Sequence, residues 1–291
     1  MENKQLKGYL FAICSAVIYG LMPLMAKQIY KEGVNALSLV FLRNFLALPS
    51  LGILAFWKHK TLKISPKELP KIGLIAFFGC TMTPLLLFSS YNYILTGTAT
   101  VFHFVYPSLV VIISLFMGKK VSFTTLFSVI LCFAGICLFY DPAVPFDLQG
   151  CALALGSAIT FAIYISLLSC CKNGSATGLL LTFYIVTISS VLTFILCIAT
   201  NSLALPTSFM GWTLCLCFAF MVTTVAVVFF QQGAFLIGGV KTSILSTLEP
   251  ITGVIVGYFA FSEAITLPIA IGSSMVIGAS ILAAIFDHKN Q

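Results

Sequence analysis

Apolar runs of about 20 residues follow one another along nearly the whole chain, and this pattern leaves it very few folds. Inside hydrocarbon every backbone N–H and C=O needs a partner within the protein, so such runs must be helices. A helix of that length crosses a bilayer core about 30 Å thick. Ten spans can be drawn, at 8–28, 35–57, 70–93, 97–117, 122–140, 149–169, 177–200, 209–236, 239–260 and 266–286. Connections are short, the longest running from Lys58 to Leu69. With 60% apolar and only 8% charged residues, the chain has no stretch that suits a soluble domain. The expected fold class is an all-α membrane protein of ten transmembrane helices.

The runs also repeat. Residues 90–120 lie over residues 232–263 in proline placement and apolar rhythm, with Pro107 on Pro250 and Gly135 on Gly278 at the same separation. Earlier, Gly8, Ala12, Ser15 and Ala16 meet Gly150, Ala154, Ser157 and Ala158. Each repeat, 1–146 and 147–291, holds five spans. Five is odd, so the second half enters the membrane from the opposite side and the halves become inverted copies. Inverted repeats place a solute site near the midplane, open to each side in turn, which makes secondary transport the leading expectation.

Lysines set the orientation. With the N-terminus inside, Lys4, Lys7, Lys58, Lys60, Lys63, Lys67, Lys71, Lys119, Lys120, Lys172 and Lys289 are cytoplasmic, and Lys241 lies near the cytoplasmic mouth of the ninth span. Only Lys27 and Lys31 fall outside, with Glu32, Asp141, Asp147 and Glu263. Both termini are therefore expected in the cytoplasm. The net charge of +7 is this asymmetry and not a nucleic-acid footprint. Nearly all ten cysteines lie within spans, as small apolar filler, with Cys170 and Cys171 at a cytoplasmic end. No cofactor or metal site is expected, and the expected partners are a small-molecule substrate and membrane lipid.

Ionisable groups at membrane depth cost about 2.5–3.5 kcal/mol on insertion scales and so mark candidate sites. Arg43 lies about 12 Å and Glu249 about 15 Å into their spans at 1.5 Å per residue. Thr242, Ser246, Glu249, Gly253 and Gly257 recur at three- and four-residue steps, a polar and small stripe with Pro250 beside the carboxyl. The stripe faces either a water-filled cavity, with Glu249 as coupling group, or a buried pair in which Glu249 holds Arg43. His103 steps along one face with Thr96, Thr100 and Pro107, as a second coupling candidate or a plain hydrogen-bond donor. Tyr106 is the repeat mate of Glu249. Tyr19, Asn44, Ser90, Tyr164, Tyr184, Gln231 and Ser246 are further candidates for lining a substrate cavity, with Ser15 and Ser157 as matched polar positions. The 27 phenylalanines read mostly as lipid-facing filler. Gly135, Gly272 and Gly278 predict close packing of the fifth and tenth spans as scaffold.

Leu248-Glu249-Pro250 followed by Gly257-Tyr258-Phe259-Ala260-Phe261-Ser262-Glu263, Leu42-Arg43-Asn44-Phe45, and the glycines at 135 and 278 resemble the EamA-type, ten-helix branch of the drug/metabolite transporter superfamily. Met117-Gly118-Lys119-Lys120 departs from that pattern, which often has a Gly-Glu pair there. The first span also lacks the acid through which the small multidrug relatives take cations. The resemblance implies export of metabolites such as amino acids across a bacterial cytoplasmic (inner) membrane, coupled to ions or exchange. Broad efflux of amphipathic compounds is the alternative. Outside transport, a channel and a non-transporting scaffold are rivals. An enzyme is disfavoured because the histidines are only His59, His103 and His288 and the aspartates lie in loops or at the terminus; no HExxH, Walker A or GxGxxG appears.

Overall fold

The computed structural model describes residues 2–59, 62–94, 96–118, 121–138, 147–169, 178–261 and 266–285. Lys60, Lys119, Lys120, Asp141, Cys170, Cys171, Lys172, Ser262, Glu263, His288 and Lys289 lie outside the described residues. All regular structure among the described residues is helical. Among the described residues, seven stretches are long and apolar enough to cross a membrane: Lys4–Lys31, Ala36–Lys58, Pro66–Ser90, Thr98–Phe116, Leu148–Ser169, Leu179–Ala199 and Phe209–Ile237. Phe123–Cys137 and Leu267–Ala279 are shorter apolar helices.

Three helix breaks fall beside prolines. The first span divides into α1 (Glu2–Gly20) and α2 (Met22–Lys31), because Pro23 has no N–H for the Tyr19 carbonyl. Next, α3 (Ala36–His59) absorbs Pro49 without a break. A short 3-10 turn leads into α4 (Leu69–Ile75), a π-helical segment at Ala76–Met82 and α5 (Thr83–Ser90). The fourth span was expected to be one helix and is two, α6 (Thr96–His103) and α7 (Tyr106–Phe116), with Pro107 just past the break. Then come α8 (Phe123–Cys137), α9 (Leu148–Ser169) and α10 (Leu179–Ala199). The eighth span is α11 (Phe209–Phe218), a π-helical segment at Ala219–Ala226 and α12 (Val227–Ile237). The ninth breaks like the fourth, into α13 (Gly239–Leu245) and α14 (Leu248–Phe261), before Pro250. The last helix is α15 (Leu267–Ile285).

Irregularities fall at matched places in the two halves. The π-helical segments begin at Ala76 and Ala219. The broken spans begin at Thr96 and Gly239, and their prolines are Pro107 and Pro250. Glycine contacts match as well. A Cβ on Gly8 would sit 2.6 Å from the Ile237 side chain and 2.9 Å from that of Leu236. One on Gly150 would sit 2.7 Å from Ile94 and 2.8 Å from Tyr93. Accordingly α1 packs on α12 and α14, while α9 packs on α5 and α7. Across the middle, α3 lies along α10 and α8 along α15. Gly135 meets the Gly272 carbonyl, where a Cβ would approach to 2.7 Å. Among the described residues Gly278 has no neighbour within 4 Å of a Cβ, so the close packing predicted there is not seen among them.

Candidate functional site

The π-helical turn of the third span builds one wall of the site. In α-helical register the Cys80 carbonyl would face Pro84, which has no N–H to offer. Asn44 on α3 takes that carbonyl instead, with Nδ2 donating at 3.2 Å. The same Nδ2 donates to Ser189 Oγ on α10 at 2.8 Å, and Thr81 Oγ1 donates to that oxygen at 2.8 Å. Asn44 thereby ties three helical segments at full burial, while its Oδ1 has no partner. The second π segment is satisfied by a different side chain: Ser15 Oγ donates to the Ala226 carbonyl at 2.9 Å.

Arg43 precedes Asn44 on α3 and is only 4% exposed. Its Nε is buried with no hydrogen-bond partner, and its guanidinium carbon lies 5.9 Å from the centre of the Phe88 ring, within cation–π range. Glu249 is partly buried in the first turn of α14. Its backbone is fixed against α1, because a Cβ on Gly20 would lie 2.6 Å from the Glu249 carbonyl oxygen. No ion pair joins Arg43 to Glu249 among the described residues; burial is what acts on the carboxyl. The pair that was one of two sequence readings is therefore not formed here. Tyr19, at the end of α1, lies within electrostatic reach of both charges. Tyr91 and Tyr106 are within reach of Glu249, and Cys80 and Tyr164 within reach of Arg43.

A cluster of aromatic rings packs around α9. Phe161 on α9 touches His103 (ring centres 5.5 Å apart), Tyr106 (4.7 Å, edge to face), Tyr164 (5.5 Å, stacked) and Phe230 (5.3 Å). Phe104 adds contacts to His103 and Tyr106. This overturns the filler reading for Phe88, Phe104, Phe161 and Phe230, three of which are no more than 1% exposed. Phe161 is the position that sequence reasoning missed. It shares a helix face with Ser157 and Tyr164 at four- and three-residue steps, a stripe that was there to be found.

Hydrogen bonds sort the remaining candidates. Ser157 Oγ donates to the Ala154 carbonyl at 2.6 Å, so His103 donates to it from Nδ1 at 2.8 Å. Ser246 Oγ donates to the Thr242 carbonyl at 2.9 Å, and Tyr106 Oη donates to the Ser243 carbonyl at 3.4 Å. Gln231 is engaged at both ends: its Oε1 accepts from Thr182 Oγ1 at 2.6 Å and its Nε2 donates to Tyr164 Oη at 3.2 Å. Ser90 bonds back to the Leu87 carbonyl within its own helix. Tyr184 turns its hydroxyl to the Leu62 carbonyl at 2.6 Å, outside the group formed by the others.

The resulting arrangement is two unpaired ionisable side chains and one histidine around a ring-lined interior.

Residues 6–140 match the EamA-like transporter family. An uncharacterized transporter of Archaeoglobus fulgidus is 24% identical over 276 residues, covering 93% of this chain and 94% of the relative. An uncharacterized transporter of Haemophilus influenzae is 33% identical over 103 residues, covering 35% of this chain and 33% of that one. A protein of known crystal structure shares the fold with a TM-score of 0.75 at 16% identity, covering 98% of each chain. With its apolar helices, its first half matched directly and a relative aligned over nearly its full length, this integral membrane chain is similar to the EamA-like transporter family.

Proposed function

We propose that the protein is a secondary transporter that exports small metabolites such as amino acids by alternating access. On this reading the chain has ten spans, arranged as two inverted five-helix repeats, 1–146 and 147–291. Both termini are cytoplasmic, and the membrane is a bacterial cytoplasmic membrane. The matched π segments, broken fourth and ninth spans and paired glycine contacts support the repeat. One observation carries the functional reading: Arg43 is buried with no counter-ion among the described residues and with Nε unpartnered. A buried charge left unpaired is strongly unfavourable, so the site is built for an anion that arrives from outside the protein. A substrate carboxylate meets that need. The aromatic wall of Tyr106, Phe161 and Tyr164 takes its apolar part, with Tyr19, Asn44 Oδ1 and Ser246 as polar neighbours. Glu249 and His103 serve as coupling groups.

Counterflow in proteoliposomes tests the carrier. Saturable uptake of labelled solute against unlabelled solute inside is expected, and non-saturating conductance would instead indicate a channel. For coupling, Glu249→Gln is expected to abolish the part of the flux driven by an imposed pH gradient while solute-for-solute exchange continues, since the amide carries no exchangeable charge. A variant as responsive to the gradient as the wild type removes Glu249 from the coupling role.

A further inference from the structure

Under the repeat, each closure of the carrier has a counterpart in the other half, and the two differ in chemistry. Thr182 on α10, Gln231 on α12 and Tyr164 on α9 form a continuous hydrogen-bonded chain that is 0%, 0% and 3% exposed. The Tyr164 ring also lies flat on Gly79, where a Cβ would come within 2.2 Å of it, so the π segment of the third span joins the same layer. Counting from the Gly8–Gly150 match, Tyr164 falls on Met22. Counting from Pro107–Pro250, Gln231 falls on Phe88. The α3 positions that match Thr182 are Leu39 and Val40. All four are buried members of one apolar cluster, 0–6% exposed, with Tyr30 donating to the Phe88 carbonyl at 2.9 Å. The same three helix positions are thus polar and mutually bonded in one half, dry and apolar in the other.

We infer that Thr182–Gln231–Tyr164 is a hydrogen-bonded latch closing the cytoplasmic side of the central site, with Met22, Leu39 and Phe88 as its apolar counterpart on the outer side. This rests on the alternating-access reading. Water can replace the latch's hydrogen bonds as that side opens, so the latch parts with little net loss. Opening the apolar seam exposes hydrocarbon to water, which nothing replaces. The two gates therefore open against different resistance. Gln231 and Tyr164 then belong to the closure as positioning residues, since their polar ends are engaged with each other. The contact of Tyr184 with the Leu62 carbonyl, and of Ile64 with the core, lies on the same side and reinforces it.

Cys80 is a natural reporter, 3% exposed, beside Arg43 and within reach of Tyr164. The full chain is placed in right-side-out and inverted membrane vesicles and treated with a membrane-impermeant thiol reagent. Modification of the Cys80 peptide is then followed by mass spectrometry. Tyr164→Phe keeps the ring on Gly79 and Thr182→Val is isosteric, so both variants retain the packing. Each is expected to speed Cys80 labelling from the cytoplasmic face by about three- to tenfold, the range for one lost hydrogen bond in a membrane interior, with the outer face unchanged. Phe88→Gln is expected to do the reverse, speeding labelling from the outer face. The latch is overturned if cytoplasmic labelling does not change in either variant, if both faces gain equally, or if Cys80 stays unreactive from both faces in every variant. Counterflow in the same vesicles is read separately. Saturable exchange without a side-specific change sinks the latch alone, whereas a wild type without saturable exchange sinks the carrier reading.

Discussion

Arg43→Ala is expected to lower transport by about 100-fold while leaving the protein at least as resistant to thermal unfolding as the wild type. The two effects have one cause. The guanidinium is almost fully buried, with Nε unpartnered and the Phe88 ring face 5.9 Å away, so in the empty carrier it is a desolvated charge. Removing such a charge relieves the folded protein. Removing it from a complex in which it pairs with a substrate anion costs about 3–5 kcal/mol, roughly two to three powers of ten in affinity. Arg43→Lys keeps the charge but loses the planar fork, and an intermediate loss of about tenfold is expected. Flux of labelled solute and the unfolding midpoint in detergent, measured on the same preparations, check this. A variant that loses stability and transport in parallel would make Arg43 a structural residue. Full transport in Arg43→Ala would favour broad efflux of amphipathic compounds, held by the aromatic wall alone.

The second large effect is expected at a residue with no side chain. Gly79→Ala places a methyl group 2.2, 2.6 and 2.7 Å from three atoms of the Tyr164 ring. That ring cannot retreat freely, because Phe161 and Phe230 stack on it and Gln231 holds its hydroxyl. Overpacking of this kind typically costs about 1–3 kcal/mol. A lowered thermal midpoint and a disturbed central site are expected together. Combining Gly79→Ala with Tyr164→Leu should recover most of the stability, since the smaller side chain yields the space. If Gly79→Ala alone is as stable as the wild type, the third span is not pressed against α9 as described.

Much of the architecture was legible in the residues. Apolar runs gave helices of spanning length, because a backbone in hydrocarbon has no other way to bond its polar groups. Pro107 and Pro250 announced irregularity, yet their full effect, two broken spans, needed coordinates. Whether a neighbouring helix supports a proline, as with Pro49, or lets the chain break depends on packing and not on the proline. The π segments at Ala76 and Ala219 carry no sequence mark of their own beyond Pro84 after the first. Gly278 read like Gly135 but meets nothing among the described residues, because glycine in a helix shows only that closeness is permitted.

The site divides in the same way. The sequence alone determined which groups are too polar for hydrocarbon, and so marked Arg43, His103 and Glu249, since the cost of burying charge depends on residue type and depth. Tertiary structure alone decided that Arg43 and Glu249 stay apart, that Phe161 stands at the centre of the wall and that Gln231 bonds Tyr164 and Thr182. Pairing depends on distances of a few ångströms between helices far apart in the chain, and no local pattern encodes them.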